Sequence, residues 1–386
     1  MKKVYLDNAA TTSIDPSVIE VMHRSMQENF GNPSSSHQYG RKAKNLIENA
    51  RINIANLFHV TASEIIFTAG GTEADNLILQ NAVTNLGIER IISSKIEHHA
   101  VSHTIDFLKD KYLIDTEYVS INSSGEISLD HLEKLLKKSK KKTLVSLMFI
   151  NNEIGNILPI NKVCDLCDKY QALFHSDTVQ AIGHYSINLQ KTPIDFMVAS
   201  AHKFHGPKGV GFAFFKKGFG IQPLFYGGNQ EKGARSSTEN VHGILGMEKA
   251  LLLATETLEA DKSNMNSLKL YFINSLKKLS SRIRFNGMSS KLEESSCTIL
   301  NVLLPISNEM LIFNLDLHGI AASGGSACQS GSNKGSHVLH EILDQKDKEL
   351  SSIRFSFSRF TNKDEIDYTI SKICLLYTSP SPRDQA

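Results

Sequence analysis

Nowhere does the chain carry an apolar run long enough to cross a bilayer. Met1 to Pro16 holds two lysines with no apolar stretch behind them, so this opening does not read as a secretory signal. Charge of one sign is also missing. Forty-two Lys and Arg against 40 Asp and Glu leave a net +2, which argues against nucleic acid or a membrane surface as partner. Cysteine is scarce: five in 386 residues, an odd number in a long chain, favours reduced thiols over a disulfide framework. Together these absences point to the cytoplasm. No internal repeat is found, and the one basic block, KKSKKK at 137–142, closes a leucine-spaced helical pattern. It reads as a solvated helix end, with a docking patch for an acidic partner as the lesser alternative.

What is present is ordinary soluble composition, 41% hydrophobic and 21% charged, in a chain long enough for one large domain and a smaller one. Strand-like runs (EIIFT, RIISS, TLVSLMF, ALFHSD, IDFMVAS, VGFAFFK) alternate with helical patterns through the first two thirds. Such alternation predicts an α/β fold with a doubly wound, mostly parallel sheet covered on both faces. From about Leu251 a long helical stretch leads to TILNVLLP, GIAAS and SIRFSFS, the strands of a smaller α+β domain. The expected boundaries are 14–254 for the large domain, 1–13 and 255–376 for the small one, and 377–386 for a disordered tail. That tail, YTSPSPRDQA, has Ser-Pro repeats and no apolar period, and looks like translated sequencing-adapter read-through, in which case the natural final helix is truncated after about Leu375.

The most informative stretch is SAHKFHGPKG at 200–209, where Lys203 follows the apolar run IDFMVA. Open α/β sheets bind their ligands at the carboxyl ends of strands. A lysine there, near other cations and out of bulk water, becomes a usable amine nucleophile. Taken alone it is more ordinarily a solvated loop lysine. Four further stretches bear on the choice. FTAGGTEADNL runs from a strand through Gly70 and Gly71 to a helix opening at Thr72, a phosphate-binding helix N-terminus or simply a tight connection. FHSDTVQA ends a strand at Asp177, with Gln180 three residues on; a carboxylate there suits a pyridinium nitrogen, or caps a helix. IEHHAVSH places His99 and His103 four apart, a weak metal signal, while His98 can stack on a planar cofactor. ASGGSACQSGSNKGSH sets Cys328 in a flexible loop, expected over 321–337, from which a thiol can travel. CDLC at 164–167 lies within a helical pattern and reads as core or surface cysteines.

Joined, these stretches resemble the cysteine desulfurases, pyridoxal-phosphate enzymes of aminotransferase fold type I. YLDNAATT, GNPSSSHQYGR, GGTEADN, EHHAV, NNEIG, SDTVQ, SAHKFHGPKG and SGGSACQSGS occur in that family's order and approximate spacing. The resemblance implies a pyridoxal 5'-phosphate bound covalently to Lys203, Asp177 at its ring nitrogen, Gln180 at its phenolic oxygen and His98 stacked on the ring. It implies phosphate contacts from Gly71, Thr72, Ser200 and His202, and from Thr238 of a second subunit in a homodimer. For the substrate carboxylate it points to Arg354 and Asn152, with Asn32 a lesser candidate; the rival Arg359 would face the other way if its strand continued. Catalysis would fall to Lys203, Cys328 and His98, with His98 or another base of the site helping to deprotonate the Cys328 thiol, and no metal is implied.

The chain departs from the family at three of these positions. Ser237 stands where glycine is usual, Gly71 where alanine is common, and Ser358 where glycine often precedes the arginine. A side chain at Ser237 is expected to strain its turn. The long Cys328 loop resembles the subgroup that hands sulfur to iron-sulfur scaffold and carrier proteins, so the expected function converts L-cysteine to L-alanine with sulfur passed on as a persulfide. Another fold type I lyase or aminotransferase, which would not need Cys328, and a non-catalytic scaffold are the competing readings.

Overall fold

The structure, a computed structural model, describes residues 2–308, 310–324 and 335–378. Its strands are β1 (Val4–Tyr5), β2 (Ile65–Thr68), β3 (Arg90–Ser93), β4 (Asp115–Tyr118), β5 (Thr143–Ser146), β6 (Leu173–Ser176), β7 (Phe196–Ser200), β8 (Gly211–Phe215), β9 (Arg284–Phe285), β10 (Ile299–Leu304), β11 (Ile320–Ala321) and β12 (Ser351–Ser356). Its helices are α1 (Pro16–Glu28), α2 (Gln38–Leu57), α3 (Gly71–Thr84), α4 (His99–Tyr112), α5 (Leu129–Lys138), α6 (Ile160–Lys169), α7 (Val241–Glu256), α8 (Leu258–Leu279), α9 (Leu311–Leu317), α10 (His337–Ile342) and α11 (Lys363–Thr378).

Seven strands form one sheet in the order β2-β8-β7-β6-β5-β3-β4. All its pairs are parallel except those of β8, which runs antiparallel to β2 and β7. Strands such as IIFT, RIIS and FMVAS are buried at every residue, because helices cover both faces and leave no solvent side to be polar. One apolar cluster joins α1, α2, α6 and α7 to one face; a second joins α3 and α4 to the other.

A separate cluster forms around the three-stranded sheet β12-β10-β9, where α8 and α11 pack with Val4 and Leu6 from the chain's start. Thus the first residues fold with the last third, as β1 pairs in parallel with β11. The single helical stretch expected after Leu251 is two helices that break at Thr257. The last helix runs on through Thr378, beyond the end expected near Leu375.

Candidate active site

The carboxyl ends of β5, β6 and β7 and the opening turn of α3 surround a cavity of about 860 Å³. The geometry follows from local chain properties. Gly70, at φ +154°, turns the chain from β2 into α3, and the exposed Thr72 sits in the first helical turn beside it. A Cβ on Gly71 would come 2.8 Å from Val179 Cγ2, so glycine here makes room for that valine. Among the described residues the cavity is lined by Gly71, Thr72, His98, Asn152, Asp177, Gln180, Ser200, His202, Lys203 and Arg354. Ten of the sequence-chosen positions therefore meet in one place, although they span most of the chain.

Lys203 ends a one-turn helix directly after β7. Its Nζ donates to the carbonyl oxygens of Ala9 at 2.6 Å and Ala10 at 2.9 Å. His184 Nε2 lies 3.0 Å from the Lys203 carbonyl oxygen and fixes the backbone from behind. Asp177, just past β6, is buried, and its Oδ1 accepts from Val179 N at 2.9 Å. Gln180 Nε2 donates to the Ala9 oxygen at 3.0 Å. His202 meets Thr11 Oγ1 at 3.2 Å. Burial, helped by Lys203 and Lys208, pushes its imidazole down to about 4, so it is neutral at pH 7.

His98 is the N-cap of α4, and its Nδ1 accepts from Ala100 N at 3.1 Å. Burial, with a smaller contribution from Lys203, lowers its pKa. A neutral ring whose Nδ1 accepts must carry its proton on Nε2. In this arrangement Nδ1 is occupied by the helix cap and Nε2 is the ring's donor.

Arg354, on β12, is buried; Nη1 donates to the Asn152 carbonyl at 2.8 Å and Nη2 to Asp7 Oδ1 at 2.9 Å. Among the described residues, its Nε and the Asn152 Oδ1 are buried polar atoms with no hydrogen-bond partner. Arg359 does not compete for this place. β12 stops at Ser356, and Arg359 pairs instead with Asp15. Asn32 is exposed and outside the lining, its Oδ1 engaged by Ser34 N at 2.9 Å. Thr238 is likewise exposed and outside the lining. Cys328 lies outside the described residues.

Sequence reasoning passed over several groups. Asp75 lines the cavity, and its Oδ1 stands 3.3 Å from His175 Nε2, both fully buried. Burial, reinforced by Asp177, holds the Asp75 carboxyl well above the ordinary range, and burial pushes His175 down to about 3. Glu97 accepts from Met148 N and Ser94 Oγ, and burial raises it to about 8. Asp7 and the Ala9 and Ala10 carbonyls were visible only as part of YLDNAATT. The CDLC cysteines are core: both are buried in α6, and burial lifts the Cys164 thiol to about 12. His99 and His103 stack at 4.6 Å, and among the described residues no group of three His, Cys, Asp or Glu gathers to hold a metal.

The family profile described as Aminotransferase class-V matches residues 4–369. Cysteine desulfurase IscS of Dictyoglomus turgidum is 39% identical over 371 residues, covering 96% of this chain and 93% of its own. Putative cysteine desulfurase IscS 1 of Bacillus subtilis is 39% identical, covering 92% of this chain and 94% of its own. A solved NifS-like protein from Rickettsia africae superposes with a TM-score of 0.87 at 33% identity, covering 98% of this chain and 100% of that one. A structure of SspA in complex with cysteine gives 0.79 at 29% identity, covering 93% and 100%. The chain belongs to the class-V aminotransferase family, in the branch formed by the cysteine desulfurases.

Proposed function

We propose that the protein is a pyridoxal-phosphate-dependent cysteine desulfurase that converts L-cysteine to L-alanine and collects the sulfur on Cys328. The observation that carries this reading is the convergence of Lys203, Asp177 and Arg354 on one cavity, where the Arg354 Nε and Asn152 Oδ1 have no partner among the described residues. The residues fit the cofactor. Lys203 is the amine that would bind its aldehyde, Asp177 the anion for its ring nitrogen and Gln180 the amide for its phenolic oxygen. Thr72, Ser200, His202 and the amides opening α3 suit its phosphate. Bound there, pyridoxal phosphate supplies an electron sink that loosens the bonds at the substrate's α- and β-carbons.

The protein's own groups do the rest. Arg354 and Asn152 hold the substrate carboxylate, a planar guanidinium matching a carboxylate's two oxygens. The Lys203 amine would move protons at the substrate's α-carbon. His98 would stack on the cofactor's ring and donate from Nε2. The Cys328 thiolate attacks the substrate sulfur: an S–S bond forms as the substrate's C–S bond breaks, and the β-carbon takes up a proton to give alanine. The persulfide then passes to an acceptor such as an iron-sulfur scaffold protein.

Thr238, exposed and away from this cavity, would serve the phosphate of a second copy in a homodimer. We also assign 14–254 to the cofactor-binding domain and 1–13 with 255–376 to the small one, a division supported by the separate apolar clusters. A cytoplasmic setting is supported by the free thiols of the buried Cys164, Cys167 and Cys297.

Purified protein incubated with L-cysteine and a reductant should yield alanine and sulfide in equal amounts. Cys328→Ser should bind cofactor and cysteine but make no alanine. Undiminished turnover by that variant would favour a lyase or aminotransferase of the same fold instead.

A further inference from the structure

The Arg354 guanidinium, always charged, is committed before any substrate arrives. Nη2 donates to Asp7 Oδ1 at 2.9 Å, and the same oxygen accepts the Ser323 hydroxyl at 2.8 Å. Ser323 and Arg354 are also bonded through their backbones in both directions, at 3.2 and 2.7 Å. Asp7 itself is held where it is. It lies between Leu6, whose carbonyl accepts from Ser356 N, and Asn8, whose side chain donates to the Ser356 carbonyl. Its carboxylate therefore has one orientation, against the edge of the buried guanidinium.

We propose that Asp7 is a positioning residue that sets how tightly Arg354 grips the amino-acid carboxylate, firm enough to capture L-cysteine and loose enough to release L-alanine. The inference rests on the desulfurase reading. Two anions must share one cation when substrate is bound, and the repulsion between them subtracts from the attraction to Arg354. Without Asp7 the grip would tighten, on product as much as on substrate, because both carry the same carboxylate. Tighter binding of both states adds nothing to the rate of the chemical step and slows the departure of alanine. The Ser323 hydroxyl tempers Asp7 in turn, since a donor on Oδ1 draws off part of its negative charge.

The test is an absorbance titration of the cofactor-loaded protein with L-alanine and with ethylamine, which is alanine without its carboxylate. Asp7→Asn keeps the oxygen that accepts from Arg354 and Ser323 but removes the charge. It should lower the Kd of L-alanine by about tenfold and leave that of ethylamine unchanged. With L-cysteine, KM should fall while kcat does not rise. Ser323→Ala should move L-alanine binding the other way, weakening it by roughly twofold.

A parallel change for both ligands in Asp7→Asn would mean a merely structural role and overturn the proposal, as would unchanged or weaker L-alanine binding. Should Asp7→Asn fail to fold, L-alanine affinity in Ser323→Ala equal to that of the parent would overturn it as well. Failure of the desulfurase reading shows elsewhere, as absence of alanine when the unaltered protein is given L-cysteine.

Discussion

Gln180 and Lys203 converge on a single oxygen, the carbonyl of Ala9, at 3.0 and 2.6 Å. That oxygen comes from a strap at the start of the chain that is pinned on both sides. Ser356 Oγ accepts from Ala9 N at 2.8 Å, and the His202 carbonyl accepts from Thr12 N at 2.9 Å. The strap closes one wall of the cavity and presents two carbonyl dipoles to the lysine amine, which keep it aimed inward. The small core thus shapes the large core's site through a few backbone oxygens.

Lys203→Ala removes the amine that two strap carbonyls hold at the cavity. The variant should lose the cofactor linkage that borohydride reduction makes permanent, and turnover of L-cysteine should fall by about 10⁴-fold. Mass spectrometry of the reduced protein reads the linkage directly. A cofactor adduct surviving on the variant would move the assignment to another lysine.

His98 should set an acid limb of the pH profile if it acts as the proposed donor. Burial lowers its pKa, so the neutral, Nε2-protonated ring persists to below the ordinary imidazole value of about 6.5. Protonating Nδ1 would also break the Ala100 cap. The ratio of kcat/KM for L-cysteine between the parent and His98→Ala, in which the titration of the Cys328 and substrate thiols cancels, should therefore stay level from pH 8 down through 6.5 and fall only below it. His98→Ala should remove that limb and lower kcat by about 10²-fold. A limb centred at or above pH 7 would count against His98 as its source.

The large sheet was legible because strands buried on both faces read as uninterrupted apolar runs. β4 was not legible. Its residues DTEY are partly exposed at the sheet's edge, where no apolar run is demanded, and only pairing with β3 makes them a strand. The site residues could be picked out where a motif placed chemistry at a strand's end, as at Asp177 and Lys203. Asp7 and Asp75 could not, because their meaning lies in partners far along the chain, Arg354 and His175. For His98 the sequence offered a ring at a strand-helix boundary, but not the cap bond from Ala100 N that occupies its Nδ1.

Ser237 shows a departure from family pattern that carries a cost. It adopts φ +114°, a conformation that suits glycine, and its N–H reaches Gln230 Oε1 at 3.3 Å. Relief of this strain is worth about 1–3 kcal/mol, against about 0.4–1 kcal/mol lost to the freer unfolded chain. Ser237→Gly should accordingly raise stability by about 1 kcal/mol, read as a higher midpoint in urea. A lower midpoint would show that the serine is relaxed where it stands.

Lys269 buries its ammonium completely between α8 and the start of β10, where Nζ donates to Ser295 Oγ at 2.9 Å and to the Ser296 carbonyl at 2.6 Å. Burial lowers its pKa to about 7, partly offset by Cys297. At pH 6 the lysine is charged in both the folded and the unfolded chain, and the folded state carries the full cost of burying the charge. Above pH 7 the folded chain sheds the proton while the unfolded chain keeps it up to about pH 10.4. The unfolded state then binds more protons, so stability rises across that window, by about 1.4 kcal/mol for each pH step of one. Lys269→Met removes this titration and both hydrogen bonds from Nζ, while Ser295 Oγ keeps its bond to the Lys291 carbonyl at 2.7 Å and the Ser296 carbonyl still accepts from Ile299 N at 3.5 Å. The difference in urea stability between the parent and Lys269→Met should therefore grow in the parent's favour from pH 7 to pH 10. A difference that stays constant over that range would mean that Lys269 keeps its charge in the core.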